Sequence, residues 1–442
     1  MNYAYGLRSK SRFFLFFFFF VILMNCIQFY YTTNAGAVFY TREQIYPFLE
    51  EIPNVPLLNP VNPCTDASFE DRLILKRLSC MARNYEIVLV ANMGDKQPCN
   101  VTAPPCPPNG WYQFNTDVVF ERDGTLIAKY HKVHLYGFEN VYYDPGSSST
   151  SNCVSFKTSF GVTFGIFTCF DLLYKEPPHC LVNKGIRNII FPTAWGSVYP
   201  FYVATANQQS WSWKYKANLL AANRHMPQTQ FTLYSTGSGI YSSGIAKQYY
   251  VSGEMLQIAT GHLITFDLPN YPDMEHNYTQ VGIRTDVSSI QQLPTHLNCT
   301  PISTLEGTLE ASYTSAELEM TVKCQLDYNM KSTYPKELYA LGAFIRSPET
   351  NSNYSYAACS LFKCAGSSLD TCGEPVAGYK ASTVFQNVKL SGDFPSGSEV
   401  QANALLSELE LVDPMFMTGG DSNLFVTDLS KPLLAASLVA TF

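Results

Sequence analysis

From Thr41 to about Thr285 the chain alternates short apolar runs with amphipathic stretches, and this alternation limits the possible folds more than any single motif does. The runs Glu86-Ile-Val-Leu-Val-Ala-Asn-Met and Arg187-Asn-Ile-Ile-Phe-Pro-Thr have the length and β-branched content of buried strands. Phe69 to Arg83 places Phe69, Leu73, Leu78 and Met81 near helical spacing behind a Thr65-Asp66 cap, which predicts a helix packed on those strands. A layered α/β fold follows, because a helix stripe and a sheet face must bury each other. Tyr112 to Lys129 predicts a hairpin turning at Arg122-Asp123-Gly124, and it delivers Tyr130-His131-Lys132 to a strand end, where chemistry commonly sits. Beyond about Asp286 helical periodicity fades and Ser, Thr, Gly and Cys become frequent, as expected of a mostly β region without visible internal repeats.

With 442 residues, 46% of them hydrophobic, the chain exceeds the roughly 250 to 300 residues at which one core stops growing. We expect a catalytic-sized domain over 37–285 and a smaller one over 286–442. The net charge of −7, with signs interspersed, offers no basic stripe for phosphates, so nucleic acid is not an expected partner. Arg8, Lys10 and Arg12 precede an apolar run from Phe13 to Met24, the layout of a signal peptide, so 1–31 reads as a secretory leader. The run is short for a spanning helix, although Ile27 to Tyr31 would lengthen it into an uncleaved anchor. Secretion fits the 13 cysteines, which an oxidising compartment allows to pair, and the sequons at Asn100, Asn277, Asn298 and Asn353. Without Cys26, twelve cysteines remain. The apolar stretch Pro432 to Phe442 behind Gly419 and Gly420 invites a lipid-anchor reading, but Leu424, Phe425 and Val426 interrupt the polar spacer such a signal needs. A terminal strand is therefore favoured, and the membrane is reached only through these two weak routes.

The sharpest local signal is Phe164-Gly-Ile-Phe-Thr-Cys169-Phe-Asp171, an apolar strand ending at a cysteine. A thiolate there is nucleophilic if a nearby cation or backbone donors favour its charged form. On composition alone, a buried or disulfide-bonded cysteine is the more common outcome. Asp171 reads as a helix-start residue that satisfies free backbone donors.

This segment resembles the nucleophile elbow of the carbon-nitrogen hydrolase (nitrilase) superfamily, in its biotinidase and vanin branch. Thr41-Arg-Glu-Gln-Ile-Tyr-Pro-Phe-Leu-Glu-Glu-Ile-Pro53, Lys129-Tyr-His-Lys-Val-His-Leu135, Phe191-Pro-Thr-Ala-Trp195 and Gly237-Ser-Gly-Ile-Tyr241 resemble the same branch, in the expected order. The resemblance implies an α-β-β-α layered sandwich followed by a smaller, mostly β C-terminal domain. It also implies a Glu-Lys-Cys triad, of which Cys169 carries over as nucleophile and Lys132 as the cation beside it. The Lys132 ammonium and the Phe170 backbone N–H then stabilise the oxyanion, so losing Lys132 is expected to cost rate and leave folding nearly intact. Glu139 matches a supporting glutamate that orients the lysine; an exposed loop carboxylate is the alternative. Trp195 and Tyr241, with Phe170, are expected to line the substrate pocket or to pack.

One departure accompanies these matches. Relatives carry the general base on a strand ending Phe-Pro-Glu-Asp, just upstream of the Thr41 segment. Here that place reads Asn34-Ala-Gly-Ala-Val-Phe-Tyr40, and no acid occurs between Met1 and Glu43. The hydrolase domain is therefore expected to lack its first strand and helix, leaving a strand edge unpaired. A gene model that skipped an exon is favoured over a product that has lost catalysis. The leading expectation is a secreted amidohydrolase that cleaves a pantetheine- or biocytin-like amide through a thioester on Cys169, with no cofactor and no metal. A non-catalytic secreted glycoprotein is the alternative, and a Cys-His enzyme using His131 or His134 is a third.

Overall fold

The computed structural model describes residues 19–22, 41–55, 60–102, 105–137, 139–147, 153–223, 237–250, 282–283, 297–333, 336–346 and 355–442. Most of the expected leader, the 285/286 boundary, Asn277 and Asn353 lie outside the described residues. Four sheets carry the chain. The first is four-stranded, in the order β1 (Phe19–Ile22), β2 (Val88–Pro98), β3 (Trp111–Phe120), β4 (Leu126–His131). The second runs β11 (Gly282–Ile283), β10 (Ile245–Tyr250), β9 (Ser238–Ser242), β8 (Asn218–Asn223), β7 (Asn188–Thr193), β6 (Thr163–Ile166), β5 (Ser155–Lys157).

Period-two burial along β2 explains the layering. Leu89 and Ala91 pack with Leu75, Leu78 and Ala82 of the helix Leu73–Tyr85, whereas Val88 and Val90 face the other way, into a core shared with Phe164, Ile166, Ile189 and Leu219 of the second sheet. A second helix, Ala204–Tyr215, packs on β8, β9 and β10. The expected helix, sheet, sheet, helix order is therefore present. Two details differ from expectation. Asp66 caps only a short 3-10 turn, Ala67–Phe69, and the helix begins at Leu73, where the Glu50 carboxylate accepts the N–H groups of Ile74 (2.7 Å) and Leu75 (2.9 Å). A carboxylate from 24 residues upstream thus supplies the N-terminal cap, and Leu73 is 59% exposed instead of facing the core. Nor is the edge of β2 unpaired: β1, drawn from the apolar run expected to act as a leader, pairs with Val88–Ala91 in parallel. No helix among the described residues is long and apolar enough to cross a membrane.

The expected hairpin is β3 and β4, turning at Asp123-Gly124, with Gly124 at φ 92°. Any side chain there would also meet the Ser79 carbonyl, since a Cβ would lie 2.8 Å from it. The remaining two sheets form an antiparallel sandwich. One runs β12 (Asn298–Pro301), β15 (Tyr339–Arg346), β16 (Tyr356–Lys363), β21 (Leu433–Thr441), β18 (Glu399–Leu406). The other runs β13 (Glu306–Ser315), β14 (Met320–Ser332), β17 (Val384–Asp393), β20 (Asn423–Thr427), β19 (Met417–Gly420). Leu433 to Thr441 is thus a strand, and an internal one, buried along its whole length. The first of these sheets is covered on both faces. Leu341, Cys359 and Leu361 fill the sandwich, while Ala340, Phe344, Tyr356, Phe362 and Leu434 join the core of the second sheet.

Candidate active site

The ends of β6 and β4 meet at the candidate site. β6 leads through Thr168 into a 3-10 turn, Cys169–Leu173, and Cys169 sits there at φ 50°, a left-handed conformation that costs a non-glycine residue about 1–3 kcal/mol unless its surroundings hold it. Asp171 does part of the holding. Its Oδ2 accepts the Thr168 N–H (3.1 Å) and the Tyr130 hydroxyl (2.7 Å), and its Oδ1 accepts the His134 N–H (2.8 Å) and lies 2.9 Å from the His134 ring Nδ1. One fully buried carboxylate therefore caps the cysteine turn, as expected for a turn-start acid, and ties it to the segment that carries Lys132.

Lys132 follows directly on β4. Its N–H donates to the Asn115 carbonyl at 2.9 Å, its carbonyl accepts from Gly146, and its ammonium donates to Glu139 Oε2. Gly146 is required, because a Cβ there would lie 2.3 Å from the His131 carbonyl oxygen. Only 1% of the Lys132 side chain is exposed, which excludes a solvated surface charge. Burial works to lower the Lys132 pKa, but the charges of Glu139 and Cys169, together with the Glu139 hydrogen bond, outweigh it and hold the group above its ordinary value. Glu139 is fixed in turn by the Tyr136 N–H (2.7 Å) and the Asn115 side-chain amide (2.9 Å), so it is no loose loop carboxylate.

Behind these groups lies a network that the sequence did not reveal. The Thr168 hydroxyl donates to Asp117 Oδ2, and Asn92 Nδ2 donates both to Asp117 Oδ1 (2.9 Å) and to Asn115 Oδ1 (2.7 Å). Thr168, Asp117, Asn92, Asn115, Glu139 and Lys132 form one continuous path from the cysteine turn to the ammonium. Complete burial pushes the Asp117 carboxyl up to about 7, against the Thr168 and Asn92 hydrogen bonds that favour its ionised form. The consecutive polar residues Asn115, Thr116 and Asp117, followed by the apolar Val118-Val-Phe120 in one strand and all buried, were the available signal.

The pocket candidates Phe170, Trp195 and Tyr241 are all buried. Phe170 is buried edge-to-face against Tyr136 (5.2 Å) and Tyr174 (5.3 Å). Trp195 is 8% exposed, with its indole N–H on the Tyr202 carbonyl (2.9 Å). Tyr241 is wholly buried with its hydroxyl on Gln208 (3.0 Å), which is a packing position. His131 faces Asp95 (2.8 Å) and stacks on Phe114, and burial lowers its pKa against the pull of Asp95. His134 stacks on Tyr174 (3.7 Å) while bound to Asp171. Each histidine is thus engaged with a carboxylate. Asn100 and Asn298 are exposed. Among the described residues five disulfides join Cys64–Cys80, Cys99–Cys106, Cys153–Cys180, Cys324–Cys359 and Cys364–Cys372, and Cys169 and Cys299 are free. Among the described residues no group of His, Cys, Asp and Glu is arranged to hold a metal ion.

Comparison with known proteins covers most of the chain. A carbon-nitrogen hydrolase family model matches residues 48–260, and a vanin C-terminal domain model matches residues 291–438. Human pantetheinase is 35% identical over 408 residues, covering 90% of this chain and 76% of that protein. Pantetheinase of Sus scrofa is 36% identical over 407 residues with the same coverage, and biotinidase of Takifugu rubripes is 35% identical over 401 residues, covering 85% of this chain and 76% of that protein.

Proposed function

The chain belongs to the carbon-nitrogen hydrolase family, in the branch that includes the vanins and biotinidase, and from that premise we propose that it hydrolyses a linear, vitamin-derived amide, pantetheine- or biocytin-like, through an acyl-enzyme on Cys169. One observation carries the reading: Cys169 is a free thiol on a left-handed turn, near enough to the buried Lys132 ammonium for its charge to favour the protonated lysine. In this mechanism Cys169 Sγ attacks the amide carbonyl and the carbonyl oxygen becomes an oxyanion. Lys132 stabilises that charge, a contribution of roughly 3 kcal/mol for one well-placed donor. The C–N bond then breaks, the amine departs with a proton, and water attacks the thioester to release the acid and regenerate the thiol. Glu139 orients Lys132 through their ion pair. Secretion belongs to the same proposal, supported by the five disulfides and by the exposed sequons at Asn100 and Asn298. So does the division into a hydrolase domain over 37–285 and a vanin-type domain over 286–442.

A second reading, a non-catalytic glycoprotein of the same fold, is favoured by one specific observation. The carboxylates described around Cys169 and Lys132 are all committed: Glu139 to Lys132, Asp171 to the turn and His134, Asp117 to Thr168. Proton transfer by a positioned carboxylate is worth about 10²- to 10⁴-fold, so its lack would be felt. Acyl trapping separates the readings. The protein is incubated with pantetheine or a biotinyl amide, quenched in acid and mapped by mass spectrometry. A thioester on Cys169, lost in Cys169→Ala with unchanged melting temperature, is the expected result; release of product by the Cys169→Ala variant would remove that thiol from the mechanism.

A further inference from the structure

The left-handed turn at Cys169 is held from two sides, and only one of them is the hydrolase side. On the hydrolase side stand Asp171 and the Thr168–Asp117 bond. From the opposite side come two residues of the C-terminal sandwich. Gln401 of β18 donates its Nε2 to the Leu172 carbonyl at 2.5 Å, and Thr441 of β21 donates its hydroxyl to the Leu173 carbonyl. Both donors are almost wholly buried, at 1% and 3% exposure, so water does not compete for these carbonyls. The two acceptors are the last two residues of the turn that Cys169 begins.

The rest of β18 explains how the donors arrive there. Val400, Ala402, Ala404 and Leu406 fill the sandwich core, and the alternate residues Glu399, Gln401 and Asn403 point at the hydrolase sheets. Glu399 pairs with Lys214 and accepts the Tyr215 hydroxyl at 2.6 Å; Asn403 donates to the Phe201 carbonyl at 3.3 Å. Gln401 Oε1 has no hydrogen-bond partner among the described residues. A buried, half-satisfied amide costs about 1–3 kcal/mol, which a leucine or methionine filling the same space would avoid, so packing alone does not account for Gln401.

We propose that Gln401 and Thr441 are positioning residues for the nucleophile: the C-terminal domain latches the carbonyls of Leu172 and Leu173 and so keeps Cys169 in its strained, reactive conformation. The inference rests on Cys169 being the nucleophile. Without the two donors, the turn is free to relax toward ordinary backbone angles and carry Sγ away from Lys132, and the loss falls on thiol reactivity before it falls on substrate binding.

The test reads Cys169 directly and needs no turnover. Intact, folded protein is treated with iodoacetamide, and the second-order rates at Cys169 and Cys299 are followed by peptide mass spectrometry. In Gln401→Leu/Thr441→Val the Cys169 rate is expected to fall about tenfold, the size that two lost hydrogen bonds of about 1 kcal/mol each allow after partial relaxation, while the Cys299 rate stays unchanged. Thr441→Val alone should slow Cys169 and Thr441→Ser should restore it, which keeps the test available if the double variant folds poorly. Tyr199→Phe serves as control, because Tyr199 also bonds across the junction, to the carbonyls of Lys363 (2.9 Å) and Leu434 (3.1 Å), away from the turn. It should lower the melting temperature and leave the Cys169 rate alone. A Cys169 rate that is fast in the parent and equally fast in folded Gln401→Leu/Thr441→Val overturns the latch while leaving the nucleophile assignment standing. Equal slowing by Tyr199→Phe overturns it too, in favour of general docking. A parent Cys169 no faster than Cys299 overturns the nucleophile reading, and the latch with it.

Discussion

The interior of the first two sheets contains ionisable groups: Asp95, Asp117, Lys132 and Asp171 are each at most 2% exposed. Among the described residues of the C-terminal sandwich no charged residue is buried to that degree, and polar groups such as Ser360, Gln401, Asn403, Ser437 and Thr441 lie on the face of its first sheet turned toward the hydrolase sheets, leaving the sandwich interior apolar. Both regions are β-sheet cores built by the same period-two rule, so fold does not explain the difference. Burying a charge costs several kcal/mol unless partners compensate, and the first region surrounds each of its charges with donors or a counter-ion. A core that needs only to hold together avoids that expense, as the second one does. The contrast teaches that the polar path beneath Cys169 is there for what it does to charge, and that the sandwich supports it mechanically.

The comparison breaks most sharply at Lys132. Lys132→Met should slow acylation roughly 10²- to 10³-fold. It should also destabilise the fold by about 3 kcal/mol, since Glu139 is left as an unpaired, largely buried carboxylate. This revises the sequence-based expectation that losing the lysine spares folding. Lys132→Met/Glu139→Gln should recover most of the stability in denaturant unfolding and none of the rate; a double variant that acylates normally would show that the charge is dispensable.

A substitution in the other core should behave in the opposite way. Leu390 is fully buried in the sandwich, and Leu390→Ala should cost about 2–5 kcal/mol by leaving a cavity. The Cys169 alkylation rate, measured well below the melting transition, should be unchanged. A parallel loss of reactivity would mean that the sandwich core and the site are one cooperative unit.

The smallest effect concerns pH. The Asp117 carboxyl is raised from 3.8 to about 7 by burial, so the folded protein holds this proton more tightly than the unfolded chain does. The stability it contributes is complete below about pH 3.8 and is lost as the pH rises through about 7. Melting curves of the parent and Asp117→Asn should therefore lie closest at low pH and separate to the parent's disadvantage between about pH 4 and 7; a constant offset across that range would mean that Asp117 does not titrate there.

Much of this was legible in the sequence, and the reasons differ from place to place. Strands β2 and β7, the hairpin that carries Lys132 and the free cysteine after β6 follow from periodicity, turn residues and a long ordered resemblance. The Glu50 cap on the helix at Leu73 was hidden because the partner lies outside the local window in which capping signals are read. Asp117 was hidden because a polar residue in a strand is ordinarily assigned to the wet face. The alternation Glu399-Val-Gln-Ala-Asn-Ala-Leu-Leu misleads in the same way. It looks like one dry and one solvated face, yet its polar face is the one docked on the hydrolase sheets.

The hydrogen bond from Thr441 to Leu173 joins positions 268 residues apart in the chain. Contacts that span so much sequence form late, because loop-closure entropy must be overcome before they add any stability. Refolding should therefore produce a compact hydrolase half whose thiol is still sluggish, followed by a slower phase in which β21 inserts between β16 and β18 and reactivity appears. Chemical competence in this protein is a last-assembled property, and a chain interrupted before residue 433 would retain Cys169 and Lys132 but lack the strand that completes their support.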